Sequence, residues 1–143
     1  MTFVSFLIID DDQLDRYLLM RDLKRGGLDV KVFECRDGVE AIEFLSNFEA
    51  NRSSQGKAFP PRILFLDINM PRVSGFGFLE SFQKLRTQRE EYAQCAVIMV
   101  SSSEHPDERV RALAYEGVVD FVIKGRTSAE ELRAKVDAVL AGS

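Results

Sequence analysis

Short apolar runs recur along the chain, and between them the apolar positions open out to a spacing of three and four residues. A short run closed by turn residues has the length of a buried strand, whereas the wider spacing lines one face of a helix. Strands are predicted at 3–9, 30–34, 62–66, 96–100 and 120–123. Helical spacing follows each of them, so the chain alternates strand and helix throughout, the signature of an α/β domain built on a parallel sheet.

The first helix follows Asp10-Asp11-Asp12, turns Leu14 and Leu18 inward with Tyr17 as a further candidate, and stops at Gly26-Gly27, where glycine accepts the left-handed closing conformation. The second spans about 38–48 with Ile42 and Leu45 inward. The third starts near Ser74-Gly75 and carries Phe78, Phe82 and Leu85 at i, i+4 and i+7 with Leu79 beside them, a stripe that reads as core packing. The fourth opens at Pro106, a residue suited to a first helical turn, and runs through inward Val110, Leu113 and Ala114 to Gly117. The fifth opens with Thr127-x-x-Glu130, a capping-box pattern, and buries Leu132, Val136 and either Val139 or Leu140.

Residues 51–61, NRSSQGKAFPP, are polar and broken by glycine and proline, and they exceed the usual connection of about 4 to 6 residues. They are expected to form a surface loop, either a tolerated insertion or a docking loop for a partner. Gly56-Lys57 lacks the earlier glycine and the following Ser/Thr of a phosphate-cradling loop.

Composition narrows the class. With 143 residues, 45% hydrophobic and 29% charged, the chain suits one globular domain over 1–143 and neither a disordered nor a collagenous protein. No apolar run approaches the roughly 20 residues needed to cross a bilayer, and the N-terminus lacks the basic segment and cleavage site of a secretory signal. A cytoplasmic protein without a membrane partner is expected. Cys35 and Cys95 sit in apolar surroundings without metal-ligand spacing and read as reduced core thiols. A net charge of -4 without a basic stripe argues against direct nucleic-acid binding. His105, the only histidine, reads as a surface residue.

The chemistry gathers at strand ends. Asp10-Asp11-Asp12 ends the first strand, Asp67 the third, Ser101 the fourth and Lys124 the fifth. The carboxyl edge of an open parallel sheet is where ligands bind, and the doubly wound order 2-1-3-4-5 sets strands one and three side by side there. Asp11 and Asp67 then face each other, and two such charges 4 Å apart repel by about 4 kcal/mol at an effective dielectric near 20. A hard divalent cation offsets that repulsion, and magnesium fits because it takes one or two carboxylates and keeps positions for water and phosphate oxygens. Lys124 adds a positive charge and Ser101 a hydroxyl donor. Such a set suits phosphoryl transfer to or from a carboxylate, with Asp67 as the nucleophile. The segment after Asp67 is a tight loop in which Pro71 fixes one φ and Gly75 is free to take a positive one.

IIDDD after the first strand, LDINMPRVSGFGFL at the third, MVSSS at the fourth and DFVIKG at the fifth together resemble a response-regulator receiver domain of two-component signalling, a likeness that covers almost the whole chain. The resemblance implies a flavodoxin-like fold of five parallel strands in order 2-1-3-4-5, doubly wound with five helices. It implies that Asp67 takes a phosphoryl group from the phosphohistidine of a histidine kinase or phosphotransfer domain. Asp10 and Asp11 organise magnesium, with Asp11, Asp67 and the backbone carbonyl of Asn69 as direct ligands. Ser101 and Lys124 meet the phosphoryl oxygens, Ser101 and Phe121 act as the conformational switch, and Asn69 and Ser103 tune phosphoryl loss. A receiver without an output domain signals to a separate effector, by docking on the face formed by the helix from Pro106 and the fifth strand or by relaying the phosphoryl group. The family's lysine is usually followed by a cis proline, whereas Gly125 follows Lys124, which implies a looser loop there.

Simpler roles compete with these. Asp10 and Asp12 suit helix caps, Ser101 suits a turn and Phe121 suits the core. A receiver that binds partners without phosphorylation has only Gly125 in its favour. A phosphatase of the haloacid-dehalogenase type suits Asp10-x-Asp12, but Leu14 stands where its motif needs Thr or Val, and little chain is left for a cap.

Overall fold

The computed structural model describes residues 4–28, 30–102 and 105–142. The apolar runs form β1 (Ser5–Ile9), β2 (Lys31–Cys35), β3 (Ile63–Asp67), β4 (Ala96–Ser101) and β5 (Val118–Ile123), paired in parallel in the order β2-β1-β3-β4-β5. β1, β3 and β4 are buried along their whole length, as central strands covered on both faces must be. Alternate residues then serve opposite cores. Leu7, Leu64, Leu66, Val97 and Met99 point to one, and Phe6, Ile8, Ile63, Phe65 and Ile98 to the other.

Six helices cover the sheet: α1 (Gln13–Arg25), α2 (Gly38–Ser46), α3 (Phe48–Gln55), α4 (Gly75–Gln88), α5 (Pro106–Leu113) and α6 (Ala129–Ala141). α2 to α5 supply the first core, and α1 and α6 supply the second through Leu23, Leu132 and Val136. The aromatic stripe of α4 is buried as expected, with Phe78, Leu79 and Phe82 fully covered and Leu85 partly so. Cys35 and Cys95 are buried free thiols, and burial pushes each up to about 12. No helix among the described residues is long and apolar enough to cross a membrane.

Several expectations change. β3 and β4 each run one residue further, so Asp67 and Ser101 are the last strand residues, and β5 begins at Val118. The expected strand start at Phe3 lies outside the described residues. Leu14 and Tyr17 are 62% and 61% exposed, and the inward stripe of α1 is Leu19, Met20 and Leu23. With 3.6 residues per turn, Leu14 stands on the side of the helix opposite Leu23. The same error of phase applies to α5, where Val110 is 72% exposed and Ala112 meets the core; the helix also ends at Leu113, short of Gly117. In α6 the capping box forms one residue later, between Ser128 and Glu131, while the Thr127 hydroxyl accepts the Ile123 N–H. Val139 and Leu140 are both partly buried.

The largest correction concerns 51–61, and it raises the helix count from five to six. Most of this segment belongs to α3 and a following 3-10 turn, Gly56–Ala58. Its polar side chains serve the backbone: Asn51 Nδ2 donates to the carbonyls of Phe44 and Asn47 at 2.7 and 3.0 Å, and Arg52 to that of Phe59 at 2.9 Å. Phe59 is fully buried, with ring centroids of Phe44, Phe48 and Tyr92 at 5.5, 5.8 and 6.5 Å. Tyr92 donates its hydroxyl to the Leu45 carbonyl. Phe48 is the buried residue of α3, too little apolar periodicity to mark a helix in sequence.

Because Phe59 holds this cluster together, Phe59→Ala is expected to cost about 3 to 5 kcal/mol in urea unfolding. Leu14→Ala, on the exposed side of α1, is expected to change stability by less than about 0.5 kcal/mol.

Candidate functional site

Strand register assembles the site. Ile9 pairs with Leu66 across β1 and β3, so Asp10 and Asp67 emerge next to each other. Asp67 pairs with Val100, and Ser101 with Ile123, whose neighbour Lys124 donates its backbone N–H to the Ser101 carbonyl at 2.8 Å. Asp10, Asp67 and Ser101 are buried, while Asp11 is exposed at the rim. Asp10, Asp11 and Asp67 each offer a carboxylate oxygen, and these atoms lie within 4.8 Å of one another. Three acceptor-only oxygens this close are a donor set for a hard divalent cation.

The turn after β1 is held from several sides. Asp10 accepts the Asp12 N–H at 2.9 Å, and Asp12 caps α1 by accepting the Asp15 N–H at 3.1 Å, so Asp12 has the capping role. Arg16 donates to the Asp10 carbonyl at 2.7 Å and to Glu34 at 3.2 Å, which ties the turn to β2.

After Asp67, the Asn69 N–H donates to Asp67 Oδ1 at 3.3 Å, with the Asn69 side chain exposed. Ile68 N–H donates to Val100 and Gly75 N–H to Ile68, closing the loop at 3.1 and 2.9 Å. Gly75 does not take the positive φ expected of it; Arg72 does, at 66°, with its guanidinium paired to Asp37. Glycine is needed at 75 for space instead. A Cβ there would lie 2.7 Å from the Asp67 carbonyl oxygen and 2.9 Å from Ile68 Cα.

Lys124 Nζ lies 2.8 Å from Asp10, 2.8 Å from Asp15 and 3.6 Å from Asp67. The following turn closes with Arg126 and Thr127 N–H groups donating to the Ile123 carbonyl at 3.1 and 3.0 Å, and Gly125 adopts φ 77°. Beside Ser101 is a cavity of about 190 Å3 whose lining includes Ile68, His105, Arg109 and Phe121. Phe121 is buried, and the Arg109 guanidinium stands 4.8 Å from its ring centroid. Ser103 lies outside the described residues.

Charge is unbalanced here. Burial and the neighbouring Asp10 push Asp67 up to about 7, against Lys124 and the Asn69 N–H, which favour its ionised form. Burial pulls the Lys124 ammonium down, but hydrogen bonds to Asp10 and Asp15 and the charge of Asp67 outweigh it and hold the group above its ordinary value.

Two contributors escape the sequence reading. Arg16 is a cation in the first turn of a helix, where the dipole favours anions, and that anomaly is a legible sign of a nearby acceptor. Asp15 gives no such signal, because an acid in a first turn is ordinary.

The response regulator receiver domain family matches residues 6–137. A protein-glutamate methylesterase/protein-glutamine glutaminase of Symbiobacterium thermophilum is 31% identical over 98% of this chain and 36% of its own length. The chain spans about a third of the length of the methylesterases it matches. The two-component response regulator ARR15 of Arabidopsis thaliana is 27% identical over 90% of this chain and 59% of its own length. Among solved structures, a two-component response regulator from Cytophaga hutchinsonii superposes with a TM-score of 0.79 at 25% identity, covering 99% of both chains. The CKI1 receiver domain from Arabidopsis thaliana, complexed with Mg2+ and BeF3-, superposes at 0.75 with 22% identity over 96% of this chain and 90% of that one.

Because the folded state raises Asp67 from 3.8 to about 7, it binds this proton more tightly than the unfolded chain does. The group therefore costs stability as pH rises from about 4, and the cost is complete above about 7. Asp67→Asn is expected to raise the metal-free melting temperature at pH 8 by about 3 °C or more, and by progressively less as pH falls towards 5. A shift independent of pH in differential scanning calorimetry would contradict this. Gly75→Ala is expected to cost about 2 kcal/mol or more, since backbone atoms block the added methyl.

Proposed function

The chain belongs to the response regulator receiver domain family, and from that membership we propose that Asp67 accepts a phosphoryl group from the phosphohistidine of a histidine kinase or phosphotransfer domain. The supporting observation is the meeting of Asp67 with the Asp10 and Asp11 carboxylates and the Lys124 ammonium at one sheet edge. In the transfer an Asp67 carboxylate oxygen attacks phosphorus, a P–O bond forms, and the N–P bond breaks with its electron pair returning to the donor imidazole. The product is an acyl phosphate on Asp67 and a free histidine on the donor.

Asp11, Asp67 and the backbone carbonyl of Asn69 would hold magnesium directly, with Asp10 helping to organise it. When bound, the ion supplies positive charge that offsets the carboxylates and the phosphoryl oxygens. Asp67 reacts ionised, a form that the Lys124 ammonium favours against burial and the Asp10 charge. Lys124 pairs with one phosphoryl oxygen and Ser101 donates its hydroxyl to another. Ser101 and Phe121 form the switch: movement of Ser101 towards the phosphoryl group opens room beside it, and Phe121 turns into the neighbouring cavity. Asn69 and Ser103 flank the acceptor and set access of water to the acyl phosphate. The readout is binding of an effector, or relay to another histidine domain, in the cytoplasm and without direct nucleic-acid contact. This is a phosphoacceptor that catalyses its own modification and hydrolysis, not an enzyme turning over a free substrate.

Intact-mass analysis after incubation with acetyl phosphate tests the reading. The native chain is expected to gain one phosphoryl group with magnesium and none with chelator, and Asp67→Asn to gain none. Modification of Asp67→Asn, or of the native chain with chelator present, would overturn it. If the native chain gains no mass even from a phosphorylated histidine domain, the reading that remains is phosphorylation-independent partner binding.

A further inference from the structure

Lys124 is shared unevenly. Its Nζ makes 2.8 Å contacts with Asp10 and Asp15, while Asp67, the group it serves in phosphoryl transfer, is at 3.6 Å. Asp15 spends its backbone N–H on the Asp12 cap, which leaves its carboxylate free to reach from the first turn of α1 across to the end of β5. The two side chains are 31% and 21% exposed, so this pair can open and close at the rim of the site, whereas Asp10 is buried beneath it.

Resting on Asp67 as the phosphoacceptor, we propose that Asp15 is a positioning residue that competes with the phosphoryl oxygens for the Lys124 ammonium and limits the stability of the phosphorylated state. Two effects carry the same sign. Phosphorylation replaces one carboxylate charge with a phosphoryl group carrying about two, which demands the ammonium on the Asp67 side. Lys124 then gives up a charge-assisted hydrogen bond to Asp15, and the abandoned carboxylate adds a negative charge to a site already rich in them. A bracing role would carry the opposite sign, because loss of the brace would disorder Lys124 and weaken the hold on phosphate.

Calorimetric titration with beryllofluoride, an acyl-phosphate mimic, in saturating magnesium separates these. Asp15→Asn is expected to bind about three- to tenfold more tightly than the native chain. Asp15→Ser, which also leaves the Asp12 cap intact, is expected to shift the same way. In a Lys124→Gln background the gain from Asp15→Asn is expected to shrink below about twofold, because the competition has lost its object. Unchanged or weaker binding by both Asp15 variants, or a gain undiminished without Lys124, overturns the proposal. Failure of the native chain to bind the mimic removes the phosphoacceptor reading and this proposal with it. Binding by the native chain with no effect of Asp15 removes this proposal alone.

Discussion

Three carboxylates, of Asp10, Asp15 and Asp67, crowd around one ammonium at the carboxyl edge of the sheet with that of Asp11 beside them, and the rest of the structure has to tolerate that imbalance. Left alone, such a set relaxes by moving apart or by taking up protons, and burial of Asp67 pushes it the second way. Moving apart is prevented by the sheet. β1 and β3 are paired in parallel and apolar on both faces, so Asp10 and Asp67 cannot separate without breaking a ladder embedded in two cores. Stability obtained from hydrocarbon burial holds charges where they repel, and repulsion makes the edge receptive to a cation.

The loops refine this placement at atomic scale. Asp12 caps α1 and leaves Asp10 and Asp11 for the site. Arg16, Asp10 and Glu34 link the first turn to β2. Behind Asp67, the chain folds back so closely that only glycine fits at 75. On the other side, Ser101, Phe121 and Arg109 line a small cavity that lies between the site and the α5–β5 face.

The aromatic cluster around Phe59 stands apart from this chemistry. It joins α2, α3 and the turn before β4 through Phe44, Phe48, Phe59 and Tyr92, and it brings an extra helix against the core on the α2–α4 side. Segment 51–61 therefore extends the first core through Phe59. Its polar sequence is explained by carbonyl groups that need donors.

Strand-ending polar residues were legible because a charge directly after a buried apolar run has few structural uses, and four of them fell at ends that a parallel sheet brings to one edge. The alternation of elements, and with it the parallel sheet, followed from the same apolar pattern, whereas the strand order was implied by the resemblance to receiver domains. Helix phase did not: Leu14 and Val110 are apolar yet point outward, since which side of a short helix faces the sheet depends on where the chain leaves the preceding strand. Nor did α3, whose stability comes from aromatic partners distant in sequence, or the use of Gly75, which is set by the approach of Asp67 and Ile68. Asp15 and Lys124 are 109 positions apart. Sequence determined which groups carry charge and which strands they end; only the tertiary structure decided how one ammonium is divided among its acids, because Coulomb energy depends on separations that the packed sheet alone defines.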